Sequence, residues 1–127
     1  MSLVEFLLAR IAEDEAAARA ASPGPWHTDA EASEVLAVDD ILVADGFALS
    51  SFQLRATTRH IARRDPARVL AECEAKRELV TNLMRVCEDG RCWQCGSANI
   101  LDLRDAVMLT LALPYASHSD YQAWWAK

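Results

Sequence analysis

Three closely spaced cysteines carry the most specific chemical pattern in this chain. Cys87, Cys92 and Cys95 are separated by four and two residues, and Gly96 follows the last of them. Two thiolates separated by two residues and followed by glycine are typical of zinc sites, because glycine lets backbone N–H groups turn toward sulfur. The cysteine loop 87–97 is therefore a candidate site for a structural zinc ion. A redox-sensitive pair and ordinary reduced cysteines are the open alternatives.

A structural zinc ion also needs a fourth ligand. Cys73 is the remaining cysteine, but on a continuous helix it would lie about 21 Å from Cys87, at about 1.5 Å per residue. Cys73 is better explained as a small core residue. The best candidate for the fourth ligand is His118, followed by His60, His27 or a residue of a second subunit.

A second pattern is basic. Arg55, Arg59 and Arg63 fall at i, i+4 and i+8, on one face of a helix, with Arg64 and Arg68 close by. Such a ridge could bind a phosphate backbone or an acidic partner, and a solvated face is the alternative. The net charge of the whole chain is −6 and its pI is about 5.0. Nucleic acid is therefore an unlikely main partner, since modules that bind it usually carry a net basic surface.

Helix signals define the elements that must position these residues. Asp65 can cap a helix that Pro66 begins, and apolar residues at spacings of three and four extend that helix over 66–87. A helix over 51–64 precedes it. Near the start of the chain, a capping box predicts a helix over 3–20.

The remaining segments predict one hairpin and one more helix. Residues 22–26, Ser-Pro-Gly-Pro-Trp, end the first helix in a stiff bend. Two apolar runs around an acidic turn predict a hairpin over 35–45. Residues 102–113 are expected to form a helix, with a strand over 106–113 as the alternative. The tail 114–127 should pack back on the body.

Together these elements predict the fold class and the setting. A chain of 127 residues suits one compact domain. The predicted class is α+β and mainly helical, with about four helices and one β-hairpin. No apolar run approaches the roughly 20 residues that span a bilayer, and no signal peptide is expected at the N-terminus. We expect a cytoplasmic protein with no membrane partner, in a compartment that keeps thiols reduced.

Three segments resemble a family of short actinobacterial and actinophage proteins of unknown function. They are Ser22–Trp26, His60–Leu70 and Leu111–Tyr121, with the sequences SPGPW, HIARRDPARVL and LALPYASHSDY. The resemblance covers nearly the whole chain and implies no catalytic residue. It does imply that five motif residues are the first choices for any site: His60, Asp65, Tyr115, His118 and Tyr121. Trp26 belongs to the first motif and has no assigned role.

Three functions from different classes remain open. The favoured one is a non-enzymatic cytoplasmic accessory or interaction protein, for which zinc is a candidate stabilising ion and a protein partner or a homodimer is a candidate assembly. The first alternative is a metal-dependent hydrolase that uses His60 and His118. The second is an adaptor that binds polyanions or nucleic acid through Arg55, Arg59 and Arg63.

The zinc hypothesis predicts both metal content and stability. Native mass spectrometry of freshly reduced, untagged protein should find one zinc ion per chain. A chelator should lower the melting temperature, because the free energy of zinc binding contributes to folding. Protein without bound metal, with a melting curve that the chelator does not change, would rule out the zinc site.

Overall fold

The computed structural model describes residues 1–47, 49–85 and 98–126. Within these residues the chain forms four α-helices and a three-stranded antiparallel sheet. The helices are α1 (Leu3–Ala20), α2 (Ser51–Ala62), α3 (Pro66–Arg85) and α4 (Ala98–Ala112). The predicted mainly helical α+β class is confirmed. No helix in the described ranges is both long enough and apolar enough to cross a membrane.

The capping box is present at the start of α1. The Ser2 backbone N–H donates to the Glu5 carboxylate at 2.9 Å, and the Glu5 N–H donates to the Ser2 hydroxyl at 3.2 Å. These hydrogen bonds hold the pKa of Glu5 below its usual value, and the bond from the Ser2 backbone has the largest effect. The local sequence thus determines where this helix begins.

Two helices differ from the predicted bounds. The α2 helix ends at Ala62 rather than at residue 64, because the chain turns there to bring Asp65 into its capping position. The α4 helix begins at Ala98 rather than at residue 102, and it continues through the apolar run to Ala112, so this run is helix and not strand. The last two residues of the prediction over 66–87 lie outside the described residues.

The sheet contains the predicted hairpin and one additional strand. The hairpin consists of β2 (Glu34–Leu36) and β3 (Leu42–Asp45), where Val35 pairs with Ala44. The additional strand β1 (His27–Thr28) pairs with the other edge of β2, so the order is β1-β2-β3. Two residues are too short a segment to show the alternation that predicts a strand.

The turn between β1 and β2 is organised by Asp29. Its carboxylate accepts hydrogen bonds from the Glu34 N–H at 2.9 Å and from the N–H and hydroxyl of Ser33, each at 2.7 Å. These bonds lower the pKa of Asp29, and the bond from the Glu34 backbone has the largest effect. Ala32 lies within this turn at a φ of 54°, in the left-handed region.

The chain divides into two compact units. The helical unit comprises residues 1–13 and 73–127, and the sheet unit comprises residues 14–72. The predicted single domain stays a prediction. The core of the helical unit consists of the buried side chains Phe6, Leu7, Val80, Met108, Ala112 and Trp125. In the sheet unit, the buried Thr58 of α2 donates its hydroxyl to the Ala32 carbonyl at 2.6 Å.

The backbone of Ala32 gives a stability prediction with a matched control. Ala32 and Ala37 are both buried, but Ala37 has an ordinary φ of −94°. Mutation of either to glycine removes a buried methyl group and adds backbone freedom, so Ala37→Gly should cost about 1.5 kcal/mol. At Ala32, relief of the left-handed conformation offsets about 1–2 kcal/mol of that loss. In urea denaturation, the Ala32→Gly variant should therefore have a free energy of unfolding close to that of wild type. An equal loss of stability in both variants would contradict the strained turn.

Candidate anion-binding site

The junction between α2 and α3 depends on the carboxylate of Asp65. One carboxylate oxygen accepts the Arg68 N–H at 2.9 Å, which caps the first turn of α3. The other accepts the Trp26 N–H at 3.3 Å. A Cβ atom at Gly24 would lie 2.7 Å from the second oxygen, so any other residue at this position would make the Asp65 carboxylate shift. Asp65 therefore joins the Ser22–Trp26 motif to the start of α3.

Arginine side chains gather around this junction. A pocket of about 270 Å³ is lined by Ala56, Arg59, His60, Arg63, Arg64 and Arg68. Arg59 and His60 lie on the last turn of α2, and Arg63 follows at its C-terminal end. Because the chain turns after Ala62, the arginines after the turn lie beside those before it. The result is a pocket lined by four arginines.

Two of these arginines are held by one carboxylate. Glu72 accepts from Arg68 Nε at 3.0 Å, and its carboxylate lies 3.6 Å from Arg64 Nη1. Arg68 Nη1 also donates to the Arg63 carbonyl at 3.3 Å. These contacts fix the Arg68 guanidinium at two of its donors and leave its other N–H groups available. Two cations facing one anion also leave an excess of positive charge.

The other two arginines have no carboxylate partner among the described residues. Arg59 and Arg63 form no ion pair with any residue in the described part of the chain, nor does Arg55. Arg55 does not line the pocket. The predicted ridge of three arginines is thus divided: two of its members, with Arg64 and Arg68, form the pocket, and Arg55 lies apart.

The C-terminal motif lies in the helical unit, around the ring of Phe6. The rings that surround it are Tyr115, His118, Tyr121 and Trp125, with centroid distances between 5.1 and 6.4 Å. Trp125 is buried, whereas Trp124 is 66% exposed. Edge-to-face packing of this kind is worth about 0.5–1.5 kcal/mol per pair beyond the buried area. These contacts explain the aromatic residues of the tail by packing.

Arg10 is a buried charge that the sequence analysis missed. It is 5% exposed, its guanidinium lies 5.1 Å from the Phe6 ring centroid, and it donates to Glu13 at 2.9 Å. Its Nη1 also contacts both ring nitrogens of His118. The available signal was an arginine at the helical spacing of the apolar residues Leu7 and Ile11, on the buried face of α1.

Most of the predicted zinc ligands are not among the described residues. Cys87, Cys92 and Cys95 lie outside them, and no group of three or more metal-binding side chains occurs within residues 1–47, 49–85 and 98–126. Cys73 is buried within α3, as a core residue. His118 contacts Arg10 through the two nitrogens by which an imidazole would bind metal. Zinc binding and His118 as its fourth ligand stay predictions.

The hydrolase alternative also stays a prediction. His60 lines the arginine pocket in the sheet unit, and His118 packs against Phe6 in the helical unit. The position of His60 is accounted for by the pocket that it lines, and the position of His118 by its packing against the Phe6 ring.

Fold and pocket together define a small, mainly helical α+β protein with an arginine-lined pocket. The chain belongs to the family described as "Family of unknown function (DUF6221)", whose family model matches residues 1–127. No curated protein and no solved structure matches the chain.

The role of Asp65 can be tested by two substitutions. Asp65→Ala removes both acceptors and should lower the free energy of unfolding by about 1–2 kcal/mol. Asp65→Asn keeps one side-chain oxygen and should lower the free energy of unfolding by a smaller amount. Urea denaturation of the two variants measures the difference. An Asp65→Ala variant as stable as wild type would show that the carboxylate does not hold this junction.

Proposed function

We propose that this protein is a non-enzymatic cytoplasmic interaction protein that binds an anionic group in the arginine pocket. One observation carries the proposal: four arginines line one pocket, and within the described residues their ion pairs go to a single carboxylate, that of Glu72. A fully solvated basic face would explain dispersed arginines. It does not explain why Arg59 and Arg63 line the same pocket without an acidic partner among the described residues.

The chemistry of arginine supports an oxyanion as the ligand. A guanidinium group is planar, always charged and has five N–H donors that match the oxygens of carboxylate or phosphate. Arg59 and Arg63 have all of their side-chain donors available among the described contacts. Arg68 is held in place by Glu72 and by the Arg63 carbonyl, so binding would cost less side-chain entropy at this residue.

Anion binding in the pocket is compatible with the net negative charge of the chain. With a net charge of −6, the protein as a whole repels anions at long range. Salt screens this repulsion within about 8 Å at physiological ionic strength, so the local arginines dominate once an anion enters the pocket. Binding should therefore depend on direct contacts with these arginines rather than on steering by the whole molecule.

Substitution of the unpaired arginines tests the proposal. In a titration with inorganic phosphate followed by NMR, amide signals of the last turn of α2 and the first turn of α3 should shift. The double variant Arg59→Gln/Arg63→Gln should bind at least about tenfold more weakly, because each charge-assisted hydrogen bond contributes about 1.5–3 kcal/mol.

Arg55→Gln is the matched control. It removes the same charge from an exposed position on the same helix, but from outside the pocket. It should leave the affinity for phosphate nearly unchanged. If Arg55→Gln weakens phosphate binding as much as the double substitution in the pocket, phosphate is attracted by the positive charge of the helix as a whole and not by the pocket. If phosphate shifts no signal at the junction, the proposed function is wrong.

A further inference from the structure

The charge of the pocket indicates what kind of anion it suits. Four arginines line the pocket and the carboxylates of Glu72 and Asp65 lie beside them, so the described charges leave an excess of about two positive charges. A carboxylate ligand or a phosphodiester brings one negative charge. A terminal phosphate group brings about 1.5 to 2 negative charges at pH 7. The terminal group therefore neutralises more of the excess charge.

The positions of the donors favour the same ligand. Arg59 lies on the last turn of α2, Arg63 and Arg64 lie in the turn that follows, and Arg68 lies on the first turn of α3, so the arginines come from both sides of the junction. A terminal phosphate offers three oxygens to such a set, whereas a diester offers two and must leave the pocket on both sides. One end of a molecule suits a concave site better than the middle of a polymer.

Ala56 makes the space for such a group. It lies one turn before His60 on α2, and it is the smallest side chain that lines the pocket. The volume of about 270 Å³ is slightly below the 300–1,000 Å³ typical of small-molecule sites. It suits a phosphate group and the first atoms of the molecule that carries it. A larger side chain at this position would fill the site without changing its charge.

We infer that the pocket binds a phosphate monoester, either on a small phosphorylated molecule or on a phosphorylated side chain. This inference rests on the proposed function and specifies its ligand. The long-range repulsion from a chain of charge −6 acts most strongly on a polymer such as nucleic acid. A single phosphate group avoids most of that repulsion and still contacts the four arginines.

Calorimetric titration of the full chain with defined probes tests the inference. The monoesters are glycerol phosphate and a phosphoserine peptide, and the diester is dimethyl phosphate. Both monoesters should bind at least about tenfold more tightly than the diester, which corresponds to one additional charge-assisted hydrogen bond. Tighter binding of the peptide would identify a phosphorylated protein as the source, and tighter binding of glycerol phosphate would identify a small molecule.

Ala56→Leu provides a variant that keeps every charge. Ala56 is exposed on α2, and leucine is a good helix former, so the fold should be retained. Monoester binding should fall at least tenfold in this variant, while weak binding of the diester should change little. Circular dichroism and the melting temperature should match wild type.

Three outcomes would overturn the inference, and they can be told apart. If dimethyl phosphate binds as tightly as the monoesters, the pocket does not select a terminal phosphate, and the proposed anion-binding function still stands. If Ala56→Leu leaves monoester binding unchanged, the ester binds outside the pocket, and the proposed function is contradicted as well. If neither class of ester nor inorganic phosphate binds, the inference and the proposed function both fail.

Discussion

The capping of α3 by Asp65 is the interaction on which the site depends. The carboxylate joins the first turn of α3 to the backbone at Trp26, and Gly24 leaves room for that approach. This contact sets where α2 must end and how the chain enters α3. This geometry brings four arginines together, because the turn places residues from both sides of it on one surface. A motif that looks like a helix start in sequence is therefore also the element that builds the pocket.

A cluster of four guanidinium groups is unfavourable for folding alone. Like charges at short range repel, and on a partly exposed surface the effect is modest but unfavourable. Glu72 offsets part of it through Arg64 and Arg68, and the remainder is left at Arg59 and Arg63. A bound anion would remove this repulsion and stabilise the folded state by mass action. Retention of unpaired charge in a concave site is the arrangement expected of a binding surface.

Local signals predicted much of the fold, and non-local contacts explain the rest. The helix start at Pro66 follows from its own sequence and is present. The two-residue strand β1 exists because β2 pairs with it, which no local pattern reveals. Helical periodicity placed Arg55, Arg59 and Arg63 together, but it assumed a helix that continues past Ala62. Arg55 does not line the pocket, and the turn after Ala62 could not be derived from spacing.

Crystallography with a heavy oxyanion tests the central claim most directly. Crystals of the full chain grown with tungstate, a tetrahedral analogue of phosphate, should show an anomalous peak within hydrogen-bonding distance of Arg59 and Arg63. The Asp65 carboxylate should contact both the Arg68 and the Trp26 N–H groups in the same structure. No tungsten at the junction between α2 and α3, with the anion bound elsewhere on the surface, would contradict the account.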